Sequence, residues 1–102
     1  MITAVQCGEV GGPVASTSPN EVEQCFAQGF KDCLADELTY VVRVDPNWVY
    51  RDFWINSQCG ISYQRDRSRI ASCVGLQQRS DGLLFQACGA EGDILVPASP
   101  QP

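Results

Sequence analysis

The residues best equipped for covalent chemistry are six cysteines: Cys7, Cys25, Cys33, Cys59, Cys73 and Cys88. Metal binding and cross-linking compete for such a set. A zinc knuckle needs two thiolates at Cys-x-x-Cys spacing on one ion, usually with histidine. No two cysteines here have that spacing, and the 102 residues include no histidine. Haem attachment and a Cys-x-x-Cys redox motif fall for the same reasons. The even number, spread along the whole chain, instead implies three disulfides and an oxidising, extracytoplasmic compartment. The rival reading is free buried thiols in a cytosolic protein. No metal and no cofactor are expected.

Three further groups of side chains could recognise a ligand or partner. Trp48, Tyr50, Phe53 and Trp54 form the densest aromatic run. On a half-exposed strand some of these rings must face outward, as a partner surface or, less readily, a sugar platform; the alternative places Trp48, Tyr50 and Phe53 in the core. Arg65, Arg67 and Arg69 supply three of only seven basic residues. They flank one turn, where they either grip a carboxylate or phosphate or form a solvated hairpin paired locally with Asp66. The acids Asp36, Glu37, Glu91 and Asp93 are assigned to surface or cap roles, since nothing in the sequence brings two of them into one cleft.

Catalysis is not expected. There is no histidine base, no Gly-x-Ser-x-Gly elbow and no phosphate-cradling loop. The single lysine, Lys31, falls on the polar side of a helix. Twelve acids against seven bases give a net charge of −5, which disfavours a nucleic-acid binder, because phosphate contacts need a basic face. No run of 18 apolar residues offers a membrane span, and the residues after Met1 do not make a signal peptide.

These groups need elements to position them. Ser18-Pro19-Asn20-Glu21 forms a capping box with proline at the first helical position. Val22, Cys25, Phe26, Gly29, Phe30, Cys33 and Leu34 then make one helical stripe, with Glu23, Gln24, Gln28, Lys31 and Asp32 on the other side. The spacing predicts a helix over about 19–35. Its two cysteines are separated by about 12 Å along the axis, so each must bond elsewhere. Residues 2–7 make a short strand and 8–18 a loop. Strands follow over 38–44, 48–56, 61–65, 69–79 and 83–88, with an edge piece at 93–96. Alternation slips at Arg51-Asp52, which is read as a bulge. Ser80-Asp81-Gly82 marks a hairpin.

Six cysteines allow about fifteen connectivities. Only one pair has a geometric case: the hairpin at Asp81 sets Cys73 opposite or nearly opposite Cys88, closing a loop worth about 3 kcal/mol. Cys33–Cys59 and Cys7–Cys25 are the guesses for the other two.

The sum is a single disulfide-stapled α+β domain over 1–96 with a proline-rich tail over 97–102. Its one amphipathic helix packs on a four- to five-stranded antiparallel sheet. In outline this resembles the cystatin arrangement, and Asp45-Pro46-Asn47-Trp48 superficially resembles the Pro-Trp loop of those inhibitors. The chain lacks their Gln-x-Val-x-Gly loop, and its cysteine spacing differs. The expected function is a non-catalytic secreted, periplasmic or cell-surface structural or interaction domain, such as a subunit of an extracellular assembly or filament. It would bind a protein partner or itself through Trp48, Tyr50, Trp54, Arg65, Arg67 and Arg69. The amino-terminal segment could pair with a neighbouring subunit's sheet. The alternative is a secreted protease-inhibitor-like protein.

Overall fold

A computed structural model describes residues 5–11 and 19–97. Ser18 of the capping box, residues 2–4 of the first expected strand and 98–102 of the expected tail lie outside them. The helix, α1 (Pro19–Asp32), begins at the proline as expected and has Glu21 in its first turn. It stops short of residue 35. The Cys33 amide donates to the Phe30 carbonyl and the Leu34 amide to the Gly29 carbonyl, while Cys33 takes a φ of 56°. That paired closure around one left-handed residue is a Schellman motif. It turns Leu34 off the apolar stripe and leaves it 51% exposed.

The helix lies on a five-stranded sheet in the order β1-β2-β3-β4-β5. These strands are β1 (Val5–Val10), β2 (Asp36–Val44), β3 (Asn47–Ile55), β4 (Ile61–Arg65) and β5 (Ala71–Cys73). The α+β arrangement of one helix on a sheet is therefore as expected, with two differences. First, the sheet is mixed: β1 runs parallel to β2 at the edge, and the remaining pairs are antiparallel. The helical crossover from β1 to β2 permits that direction, which a short hairpin would not. The amino-terminal segment is thus a strand of the chain's own sheet. Second, residues 69–79 are not one strand. The ladder breaks at Val74, which is 84% exposed. Beyond it β6 (Gly75–Arg79), β7 (Gly82–Gln86) and β8 (Ile94–Pro97) form a separate antiparallel sheet in that order.

Both sheets and the helix enclose one core. Phe85 of β7 stacks on Phe53 of β3 with ring centroids 3.8 Å apart, and meets Phe26 of α1 edge-on at 5.5 Å. Leu38, Ile61, Leu83, Val96 and Val22 close around these rings, all nearly inaccessible to water. Gly8 of β1 crosses α1 where a Cβ would stand 2.9 Å from Val22 Cγ2, so a side chain there would push the edge strand off the helix.

Three disulfides tie these layers together: Cys7–Cys25, Cys33–Cys59 and Cys73–Cys88. The first joins β1 to α1, and the second joins the helix end to the β3–β4 turn. The third follows from hairpin register. Gly75 faces Gln86 and Arg79 faces Gly82; continuing that register by two residues sets Cys73 against Cys88.

Candidate functional site

β3 does not bulge. Its register with β2 is unbroken from Asn47 to Trp54. Strict alternation therefore sends Val49, Arg51, Phe53 and Ile55 to the helix side and Trp48, Tyr50, Asp52 and Trp54 to the opposite face. Of the aromatic run only Phe53 is core. Trp48 and Trp54 are half-buried, and Tyr50 is 38% exposed.

The slip in the pattern has another cause. Arg51 points inward because it has partners there. Its Nη2 lies 3.4 Å from Glu91 Oε1, and the Tyr63 hydroxyl donates to Glu91 Oε2. This pins the 3-10 turn at Gly89–Glu91 to the large sheet. Burial alone would lower the Arg51 pKa; the Tyr63 and Glu91 contacts outweigh it and hold the guanidinium's pKa raised. Burial, with the Glu91 hydrogen bond adding to it, pushes the Tyr63 hydroxyl up to about 12. Sequence reasoning missed this trio. Its signal was there: an arginine in an inward register position and a later acid able to reach it.

The outer face is built by β2, β3 and β4. Register places Trp54 beside Glu37, Asp52 beside Thr39, Tyr50 beside Val41 and Trp48 beside Arg43. Gln64 lies on the far side of Asp52 and Ser62 on the far side of Trp54. Thr39 Oγ1 donates to Asp52 Oδ1 at 2.6 Å, fixing the carboxylate between the rings. The Arg43 guanidinium lies 5.5 Å from the centre of the Trp48 ring and bonds Asp45 at 3.0 Å in the hairpin turn. At the other end Ala35, Glu37, Asp52, Trp54 and Gln64 line an open cleft that reaches Asp36 and Ile55. Glu9 of β1, opposite Thr39, adds a further acid to this side. The face is thus aromatic and acidic, with Arg43 at one end.

The arginines stand elsewhere. Arg65 pairs with Arg51 across β3 and β4, so it belongs to the helix side of the sheet, at its exposed rim. Arg67 is in the turn. Arg69 lines a different cleft, with Ile70, Tyr63 and Glu91. The expected local pairing with Asp66 is absent among the described residues. Asp66 instead accepts from the Tyr50 amide at 2.9 Å, and its own amide donates to the Tyr50 carbonyl at 2.7 Å, clipping the turn onto β3. Trp48, Tyr50 and Trp54 therefore share one face, and the three arginines are spread over the helix side, the turn and another cleft rather than on it.

The acids also depart from expectation. Asp36 is 5% exposed and lies against the helix, while Glu91 is held by Arg51 and Tyr63. Asp93 is exposed, a surface position as expected, and accepts from the Ala87 amide at 2.8 Å. Among the described residues, only Cys7, Cys25 and Asp36 bring three metal-ligating atoms within 4.8 Å of one another. The two sulfurs are bonded to each other, so the thiolates a metal would need are consumed.

The three disulfides suggest an oxidising compartment. No helix among the described residues is long and apolar enough to cross a membrane. Comparison with protein-family models, curated proteins and solved structures finds no match to this chain.

Proposed function

We propose that this protein is a non-catalytic interaction domain, secreted or displayed at a cell surface, that docks protein through the outer face of its large sheet. One observation carries the reading: Trp48, Tyr50 and Trp54 share the face opposite the helix, where the core has no use for them. Aromatic residues supply much of the binding energy at protein interfaces. The carboxylates of Glu37 and Asp52 among them favour a partner with cationic groups, since a guanidinium pairs with acids and stacks on rings.

A second copy of the chain offers such groups. Arg65, Arg67 and Arg69 are exposed, with Arg65 on the other side of the sheet, so one copy carries the two halves of such a contact on different surfaces. A head-to-tail arrangement would lay one copy's arginines over the next copy's rings. This supports the assembly version of the function.

Light scattering and sedimentation over micromolar concentrations test it. Dimers or larger species are expected that weaken with added salt and vanish in the Trp54→Ala/Tyr50→Ala variant. Charge reversal at Arg65 and Arg67 should have the same effect. A strictly monomeric protein at every concentration and salt level would remove self-assembly, leaving a basic foreign partner as the occupant.

A further inference from the structure

The Asp36 carboxyl occupies an expensive position. Its residue is 5% exposed, and among the described residues no hydrogen bond reaches the carboxyl. The helix gives up a side chain to admit it: a Cβ on Gly29 would stand 1.8 Å from Asp36 Oδ2. A glycine within a helix is less favourable than alanine, and so is holding a carboxyl largely out of water. The core gains no contact from this that an apolar residue would not supply.

What lies near the carboxyl is sulfur. Cys25 precedes Gly29 by one helical turn, on the same face. Cys7 falls at the register shift between Gln6 and Gly8, out of the ladder with β2. An Asp36 oxygen and both sulfurs of the Cys7–Cys25 bridge lie within 4.8 Å of one another. Both cysteines are half-buried rather than sealed in the core.

We propose that Cys7–Cys25 is a site of thiol–disulfide exchange at which Asp36 protonates the departing sulfur. The co-reactant is a dithiol. One of its thiols ionises to solvent and attacks one cysteine sulfur; the S–S bond breaks and a mixed disulfide forms. The other cysteine leaves as thiolate and takes the Asp36 proton, which solvent replaces. The reductant's second thiol ionises and displaces the remaining cysteine, which takes up a proton in turn. Two cysteine thiols and a cyclic disulfide result; the two electrons come from the dithiol, and the protons released and taken up balance.

Burial acts in the same direction by raising the Asp36 pKa, which favours the protonated form that the transfer needs. Once ionised, the same group repels both the incoming and the departing thiolate. The other charged groups on the surrounding elements are Glu9 on β1, Glu21, Glu23, Lys31 and Asp32 on α1, Glu37 and Arg43 on β2, and Arg51 and Asp52 on β3; Glu23, pushed up to about 7, titrates in both proteins and cancels in their ratio. The bridge is the covalent tie between β1 and the helix, so its opening would free the parallel edge strand.

The test is reduction by dithiothreitol, quenched by alkylation, with each bridge resolved by peptide mass. The ratio of Cys7–Cys25 rates in the unmutated protein and in Asp36→Asn cancels the reductant's own ionisation. It should be about tenfold or more at the acidic end of a pH series and fall below one at the alkaline end. If Asp36→Asn does not fold, the ratio of Cys7–Cys25 to Cys33–Cys59 reduction within the unmutated protein serves instead and should fall over the same range. A ratio that stays constant with pH in the measurement used would overturn the proposal.

Discussion

Glu23 lies on the side of α1 that helical periodicity assigns to water, yet it is 5% exposed, and its Oε2 is buried without a partner. The second sheet explains this. Gln78 and Arg79 of β6, Ser80 of the turn, and Gly82 and Leu83 of β7 line the same cleft as Glu23 and cover a second side of the helix. A sequence in which 69–79 reads as one strand of one sheet cannot show that cover. Burial pushes the Glu23 carboxyl up to about 7 from an ordinary 4.5. At pH below 4.5 the group is protonated in both folded and unfolded chains and costs nothing. Between 4.5 and 7 the unfolded chain gives up the proton while the folded one keeps it, so stability falls as pH rises. With allowance for solvent screening the loss is about 2 kcal/mol. Chemical denaturation at a series of pH values should show this decline in the unmutated protein and a flatter profile in Glu23→Gln. Equal slopes for the two proteins would refute the assignment to Glu23.

Whole elements were more legible than their ends and partners. The stripe from Val22 to Phe30 located α1, because a helix buries a fixed spacing wherever it packs. Strand β4 matches its expected span, and β2, β3 and β7 lie within two residues of theirs. The helix end escaped because Cys33, an ordinary residue by type, adopts the left-handed conformation that usually announces itself as glycine. The direction of β1 escaped because strand direction is not written in strand composition. The docking face was half visible: the aromatic run was plain, but deciding which rings point outward required knowing that Arg51 has an inward partner.

Gly29 bears on the same scale. Alanine there would gain about 1 kcal/mol of helix propensity, but its Cβ would collide with Asp36, 2.5 Å from Cγ as well as 1.8 Å from Oδ2. Overpacking of that kind costs about 1–3 kcal/mol, so Gly29→Ala should lose stability on balance. Asp36→Ala should restore it, leaving Gly29→Ala/Asp36→Ala more stable than Gly29→Ala by at least about 1 kcal/mol. Urea unfolding of the four proteins measures the coupling. Additive effects would mean that the helix and Asp36 are not in the contact described.

At the scale of the molecule, two kinds of cohesion hold three layers together. Phe85 packs against Phe53 and Phe26 at once, so it links the small sheet to the large sheet and the helix. Truncating such a ring costs about 3–5 kcal/mol. The disulfides act on the unfolded chain. Their sequence separations are 18, 26 and 15 residues, and a loop of that order is worth about 3 kcal/mol. Three of them approach the whole stability of an ordinary domain, about 5–15 kcal/mol. Each layer is cross-linked to another, so the bridges and the aromatic stack restrain overlapping parts of the fold. Phe85→Ala should therefore remain folded while oxidised, with a lowered Tm, and lose its cooperative transition once all three bridges are reduced. Circular dichroism melts of both proteins, with and without reductant, decide the matter. A reduced Phe85→Ala protein that still melts cooperatively would show that neither the bridges nor the ring holds the layers together.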